Sequence, residues 1–226
     1  MTGIFVTATG TEVGKTYVSE ALIRYAKNQK NLILPSKPII SGWLPNDIEQ
    51  TDTARLLKAA DLMVNEANIK AISPWRFTLP LTPEMAAQKE NKEINIQELI
   101  HFCEQRTLLA KKEGVHHLIE GVGGLMSPIK GHFTNLEWLK ALNYRCILVT
   151  GSYLGTLSHT LTALKVLQNE GLQIAAVVVN ETPQSSVPLA DTVRYLTTYG
   201  SFPVIEIPWQ PNAVSIAHLS PLYELL

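Results

Sequence analysis

The feature that most constrains this chain is a strand that runs through a glycine-bearing loop directly into a helix. Ile4-Phe5-Val6-Thr7-Ala8 is a short, mostly apolar run of strand length. Beyond the loop, Val18, Ala21, Leu22, Tyr25 and Ala26 recur at the spacing of one helix face, which predicts an amphipathic helix over residues 15–28. A strand without polar alternation belongs to a parallel sheet covered by helices. The loop also carries a chemical reading. A helix start offers unpaired N–H groups and roughly half a positive charge, which suits phosphate. Gly14 lets the backbone approach closely, Lys15 reaches the outer phosphates, and the Thr16 hydroxyl can ligate magnesium. The loop departs from the common form, because Thr9 stands where a glycine is usual and Gly10 follows one position later. Glu12 opposes phosphate and makes more sense facing a cationic group or the metal.

Downstream, strands and helices alternate. Asn31 to Ser36 predicts a second strand, ending at Lys37-Pro38, and Thr51 to Ala60 a helix. Residues 70–92 hold Pro74, Pro80 and Pro83 and read as a loop with a short helix over 83–89. Ile94 to Lys112 predicts a longer helix. His117-Leu118-Ile119 predicts a strand running into Glu120-Gly121-Val122-Gly123-Gly124. A strand over residues 146–149, a helix over 155–170, a strand over 175–179, a helix over 188–198 and a strand over 204–207 complete the alternation. A short helix is expected near residues 216–225. The pattern predicts a doubly wound α/β fold: a mostly parallel sheet with helices on both faces, as one domain over residues 1–226.

Composition narrows the function classes. At 226 residues the chain can bury about 70% of its unfolded surface, so it needs no disulfide or metal staple. A net charge of -1 without a Lys/Arg run gives no footprint for nucleic acid. Cys103 and Cys146 form no CxxC pair and are expected as reduced, buried thiols of a cytoplasmic protein. No secretory signal and no membrane span is expected. The histidines lack metal-ligand spacing, and adjacent His116 and His117 should point to opposite faces of their strand.

Several residues admit two readings. Glu120 ends a strand at a glycine-rich turn, where α/β folds place ligand-contacting groups, or is a solvated strand-end acid. Asp52 is a second candidate magnesium ligand, but its local sequence favours a helix N-cap. Lys37 taken alone reads as a solvated lysine, and Trp209 as a core residue. Residues 155–158 (Gly155, Thr156, Leu157, Ser158) open a helix and suit either an anion or plain capping.

With these residues in view, the chain resembles dethiobiotin synthetases over nearly its whole length. Thr9-Gly10-Thr11-Glu12-Val13-Gly14-Lys15-Thr16 looks like that family's variant phosphate loop. Lys37-Pro38-Ile39-Ile40-Ser41-Gly42 looks like its lysine-and-serine substrate motif, and is the most discriminating of the set. Thr51-Asp52 resembles its metal-binding aspartate, and Glu120-Gly121-Val122-Gly123-Gly124 its acidic glycine turn. Val179-Asn180-Glu181 and Ile207-Pro208-Trp209 resemble its adenine-side segments.

The resemblance implies a ligase of biotin synthesis. It would use ATP, magnesium, and carbon dioxide or bicarbonate to convert 7,8-diaminononanoate (7,8-diaminopelargonate) into dethiobiotin through a carbamate and a carbamic-phosphoric anhydride. It implies reacting-centre roles for Lys37, Lys15, Thr11 and Glu12, with Ser41 on the substrate. Thr16, Asp52 and Glu120 would hold the metal. Glu12, Val13, Gly14, Lys15, Thr16, Tyr17, Asp52, Glu120, Gly121, Val122 and Gly123 would surround the phosphates. Asn180, Glu181, Pro208, Trp209 and Gln210 would take the base. Residues 155–158 would bind the substrate's distant carboxylate from a second subunit, implying a homodimer. Asn180-Glu181-Thr182-Pro183 lacks the Asn-Lys-x-Asp pattern of guanine readers, which favours adenine. A partitioning or regulatory ATPase of the same fold is the alternative. It would typically carry a second lysine early in the loop, and residues 9–13 contain none.

Overall fold

The computed structural model describes residues 3–210, 216 and 218–225. β1 (Ile4–Ala8) leads through the loop into α1 (Lys15–Asn28). The chain returns as β2 (Ile33–Ser36) and β3 (Ile39–Ser41), then passes a 3-10 turn (Ile48–Gln50) into α2 (Asp52–Ala59) and α3 (Glu66–Ile72). β4 (Trp75–Phe77) and α4 (Pro83–Lys89) precede α5 (Ile96–Glu113). β5 (His116–Glu120), the short β6 (Pro128–Lys130) and β7 (Phe133–Thr134), and α6 (Asn135–Leu142) follow. The remainder alternates: β8 (Arg145–Gly151), α7 (Thr156–Asn169), β9 (Ile174–Asn180), α8 (Leu189–Tyr199), β10 (Val204–Ile207) and α9 (Ser220–Tyr223).

Six strands form one sheet in the order β10-β9-β8-β1-β5-β2, parallel throughout. The chain starts in the middle, steps out to β2, returns to β5 and then crosses β1 to reach β8. The strand order therefore reverses at β1, and the loops beyond its carboxyl end diverge to leave a crevice. The phosphate loop and the turn after β5 meet there.

Alternation within the strands divides their side chains between two cores. Ile4, Val6 and Ala8 of β1 join Ile147 and Val149 of β8 and Val178 of β9 beneath α1 and α2. Phe5, Leu148, Val177 and Val179 turn the other way, beneath α5, α6 and α7. Burial on both faces explains why these strands read as apolar runs. Cys103 and Cys146 are free and buried in the second core, where burial pushes each thiol up to about 12. His117 is buried and His116 only partly so, on opposite faces as expected.

The predicted main-sheet strands and their covering helices are present. Four short features were not read from the sequence. α6 carries a reciprocal capping box between Thr134 and Glu137, a signal present in the sequence. α3 is capped by Asn65, whose Oδ1 accepts from the Asn68 N–H at 2.9 Å. β3 and β4 pair in parallel over three residues each, with Trp75 N donating to Pro38 O at 3.0 Å. This strand lies inside the proline-rich stretch expected to be loop. β6 and β7 form a minimal antiparallel ribbon. The β3–β4 pair depends on a partner distant in sequence, whereas β6 and β7 pair across a short local turn. The expected C-terminal helix appears as one turn at Ser220–Tyr223, and residue 217 of that span lies outside the described residues.

α6 is pinned to the sheet by Trp138, which is fully buried and meets Phe5 edge-on at 5.1 Å between ring centroids. Trp138→Ala should lower stability by about 3–5 kcal/mol in urea denaturation. A loss below about 1 kcal/mol would contradict this packing.

Candidate active site

The loop between β1 and α1 takes two left-handed residues, Glu12 at φ 61° and Gly14 at φ 100°. Only Gly14 is enforced by packing. A Cβ there would strike the Asn180 side-chain amide, which lies across the loop and donates to Val13 O at 3.3 Å. Val18 N donates to Gly14 O at 2.9 Å and begins the helix. Lys15 folds back, its Nζ donating to Gly10 O at 3.2 Å. Glu12 is exposed at the rim.

A buried charge cluster lies under the loop. Glu120, at the end of β5, is 0% exposed. Its Oε1 accepts from Thr16 Oγ1 at 2.7 Å and from Lys37 Nζ at 2.7 Å. Its Oε2 is buried without a hydrogen bond among the described residues. Lys37, 4% exposed, also donates to Gly121 O at 3.3 Å and lies 3.6 Å from Asp52 Oδ2. Neither Lys37 nor Glu120 is a solvated charge. Asp52 is not the helix N-cap either: Thr51 takes that place, its Oγ1 accepting from Ala54 N at 3.2 Å. Asp52 is thus left in the first turn, facing Lys37.

The electrostatics follow. Burial opposes the charge on Lys37, but Glu120 and Asp52 outweigh it and raise its pKa. Burial opposes ionised Asp52 as well, yet Lys37, the Thr16 hydroxyl and Arg55 hold its carboxyl below the usual range. Lys15 differs. Burial and the neighbouring Lys37 charge bring it down to about 8, against weaker support from Glu120 and Asp52.

Two residues that sequence reasoning missed hold the turn after β5. Asn135, buried at the start of α6, donates through Nδ2 to Val122 O at 2.6 Å and Gly124 O at 2.8 Å. Its Oδ1 accepts from Val122 N at 3.2 Å. Ser127 Oγ accepts from Gly124 N at 2.8 Å. Gly123 takes φ 67°, where a Cβ would collide with Ser127. The capping box pointed to α6, but nothing local marked Asn135 as a brace for residues 121–124.

A cavity of about 640 Å³ opens over the cluster, lined by Thr11, Glu12, Gly14, Lys15, Thr16, Lys37, Ser41, Asp52, Glu120, Val122 and Gly123. Residues 80–83, which sequence reading left unassigned to any site, line it as well. Ser41 Oγ is buried there without a hydrogen bond among the described residues. Beside it runs a groove of about 910 Å³, whose walls include Asn180, Glu181, Trp209 and Gln210. Tyr17 and Arg55 line both. Trp209 is 48% exposed, so it is no core residue. Its backbone N–H donates to Glu181 Oε2 at 2.9 Å, and Glu181 N donates to Ile207 O at 2.9 Å, which ties the segment around Pro208 to β9.

Residues 155–158 are not brought to either cavity within one chain. Gly155 is the N-cap of α7 at φ 92° and no side chain caps the helix. Thr156 is buried, its Oγ1 donating to Gly151 O at 2.6 Å, and Ser158 is exposed.

The donor set can hold a hard divalent cation. No cluster of three or more His, Cys, Asp or Glu suited to a metal occurs among the described residues. Magnesium needs no such cage, since it is commonly held by one or two carboxylates together with phosphate oxygens and water. Thr16, Asp52 and the unpartnered Glu120 Oε2 supply oxygens of that kind. Chemically, the arrangement can neutralise a polyphosphate and hold a second anion near Lys37 and Ser41.

A family model described as AAA domain matches residues 2–216. The ATP-dependent dethiobiotin synthetase BioD of Methylobacterium nodulans is 44% identical over 192 residues, covering 83% of this chain and 84% of that protein. The protein of the same name from Phenylobacterium zucineum is 39% identical over 215 residues, covering 94% and 91%. Among solved structures, the septum site-determining protein MinD of Pyrococcus horikoshii, complexed with Mg-ADP, superposes with a TM-score of 0.58 at 14% identity, covering 99% of this chain and 95% of that one. That likeness speaks for the fold alone. Identity of 39–44% to curated relatives extends over most of this chain and most of theirs: this chain belongs to the ATP-dependent dethiobiotin synthetase family.

Proposed function

We propose that this protein is an ATP- and magnesium-dependent cyclo-ligase that joins carbon dioxide to 7,8-diaminononanoate and closes the ring of dethiobiotin, releasing ADP and phosphate. The observation that carries the reading is Lys37. It is buried between Glu120 and Asp52, where the phosphate loop meets the cavity lined by Ser41.

Carbon dioxide adds to one amine of the substrate and gives a carbamate. A carbamate oxygen attacks the γ-phosphorus of ATP, the bond to ADP breaks, and a carbamic-phosphoric anhydride forms. The second amine attacks the carbonyl carbon, phosphate leaves, and the ring closes. Two anions must therefore meet, and the chain supplies Lys15 and Lys37 for that meeting in a site shielded from water. Lys37 holds its proton firmly between two carboxylates, so it stabilises charge and does not act as a base. Bound magnesium, held by Thr16, Asp52 and Glu120, would supply further neutralisation of the phosphates. Ser41 Oγ and Thr11 orient the reacting end of the substrate, and Glu12 at the rim faces its cationic amine. No covalent protein nucleophile is required.

The base of ATP lies in the groove by Asn180, Glu181, Pro208, Trp209 and Gln210. The Asn180 amide nitrogen is committed to Val13 O, which leaves Oδ1 to accept from the amino group of adenine. Residues 155–158 bind the distant carboxylate of the substrate from a second copy of the chain. Their distance from both cavities within one chain supports this arrangement and with it a homodimer. A cytoplasmic location accords with the free, buried thiols and with the lack, among the described residues, of a helix long and apolar enough to cross a membrane.

Incubation with ATP, magnesium, bicarbonate and the diamine should release phosphate only when the diamine is present, with equimolar ring product. Diamine-independent release would sink the ligase reading. Lys37→Met should lower kcat by about 100-fold or more. It should also cost about 3–5 kcal/mol of stability, because Glu120 is left as a buried charge without its cation. Adding Glu120→Gln should restore much of that stability but none of the turnover, and recovered turnover would remove Lys37 from the chemistry.

Lys15 makes both stability and nucleotide binding depend on pH. Its folded value of about 8 lies below the ordinary lysine value of 10.5. The unfolded chain therefore binds the extra proton between those values, so this lysine lowers stability at neutral pH and the loss is relieved as pH climbs through the window. Nucleotide affinity should move oppositely. Calorimetric titration of ATP should show binding weakening from about pH 7 to about pH 9.5, with proton uptake on binding near pH 8. Affinity constant over that range would show that Lys15 does not titrate there.

A further inference from the structure

α1 buries one acid that the phosphate loop does not use. Glu20, one turn beyond Thr16, is 5% exposed and holds two guanidinium groups. Its Oε1 accepts from Arg24 Nε at 3.0 Å and Nη2 at 2.8 Å. Its Oε2 accepts from Arg55 Nε at 2.9 Å and lies 2.8 Å from Arg55 Nη2. Each arginine turns the same edge to the carboxylate, so both side chains are fixed. One guanidinium would suffice to neutralise Glu20. The second leaves the trio with an excess positive charge. The nearby cations Lys27 and Lys58 are matched by Asp61 and Glu49.

Arg55 is the arginine whose position has a use. It stands on α2, one helical turn from Asp52, and lines both the phosphate cavity and the groove that holds Trp209. It therefore stands where the two cavities meet. Its side chain is 37% exposed, and its contacts with Glu20 run through Nε and Nη2, which leaves Nη1 on the edge away from that carboxylate. A guanidinium held on one edge and open on another suits a phosphate oxygen. Arg24 lines only the groove.

We propose that Arg55 is a direct contact to the phosphate chain of the bound nucleoside triphosphate, and that the buried Glu20 is the positioning residue that aims it. The proposal rests on the nucleotide-dependent reading of the site above. Arg24 keeps Glu20 ionised and centred when Arg55 turns part of its charge toward phosphate. Arg55 thereby couples α2, which carries Asp52, to the same ligand that α1 holds through Lys15 and Thr16.

The test is calorimetric titration of the full chain with magnesium and a non-hydrolysable ATP analogue, alongside steady-state kinetics. Arg55→Ala should weaken analogue binding by about tenfold or more and raise KM for ATP in step, with KM for the diamine unchanged. Arg55→Lys should recover only part of the affinity, since a single ammonium cannot serve both Glu20 and a phosphate. Glu20→Gln, which keeps the shape but loosens the hold, should weaken binding by a smaller factor. A lowered thermal midpoint with unchanged analogue affinity would make Arg55 a structural brace and overturn the proposal. Should Arg55→Ala fail to fold, unchanged affinity in both Arg55→Lys and Glu20→Gln would overturn it equally. A wild-type chain that binds the analogue but shows no diamine-dependent turnover would sink the ligase reading while leaving Arg55 to be judged by binding. A wild-type chain that does not bind the analogue would end both.

Discussion

The buried ion pair between Lys37 and Glu120 is the interaction on which the site depends. Parallel pairing sets Ser36 of β2 opposite Ile119 of β5, so the next residues, Lys37 just beyond β2 and Glu120 at the end of β5, lie side by side. Removing two charges from water costs several kcal/mol per ion, and Coulomb attraction compensates only when the remaining polar groups are also met. Here Thr16, Gly121 O and Asp52 share that work. One carboxylate oxygen of Glu120 is left without a hydrogen bond among the described residues. A buried carboxylate oxygen without a partner is costly, and that cost is relieved by any donor or cation that reaches it.

The sheet order makes this meeting possible. β1 pairs with both β5 and β8, so its loop lies between two diverging connections. The phosphate loop can then receive Thr16 from α1, Lys37 from β2, Asp52 from α2 and Glu120 from β5 without any long excursion. Asn135 adds a brace from α6. By meeting the backbone groups of residues 122–124 with one side-chain amide, it keeps a glycine-rich turn from becoming loose. Glycine at such a turn loses more conformational freedom on folding than any other residue, so an external partner is needed to hold its shape.

Charge in the crevice is arranged by depth. Lys37 lies deepest and stays protonated because two acids face it. Lys15 lies nearer the loop, with another cation as neighbour, and sits close to its titration point. Arg55 is at the junction with the groove, half-exposed and anchored by Glu20. The two carboxylates facing Lys37 outweigh its single charge, so the uncompensated positive charge of this row lies with Lys15 and with the Arg24–Glu20–Arg55 trio nearer the groove.

The sequence by itself determined the strand–loop–helix at residues 4–28, the alternation that makes the sheet parallel, and the glycine turn after β5. These follow from periodicity and from the backbone needs of a tight anion-binding loop, both of which are local. It also marked Glu120 and Asp52 by their positions at a strand end and a helix start, and Lys37 and Ser41 through the resemblance of their motif. The tertiary structure decided which readings of those residues hold. Asp52 is free of capping because Thr51, one residue earlier, has the hydroxyl at the cap position. Glu120 is buried because β1 and β2 flank its strand. Trp209 lies outside the core because Glu181 anchors its backbone. Asn135, residues 80–83 and the Glu20–Arg55 hold were unreadable locally, since each acts on a segment brought near only by the folded chain, whereas Ser127 acts within its own turn, three residues from Gly124. Partners distant in sequence leave no period behind, and a buried polar side chain finds its purpose only when the groups it satisfies arrive beside it.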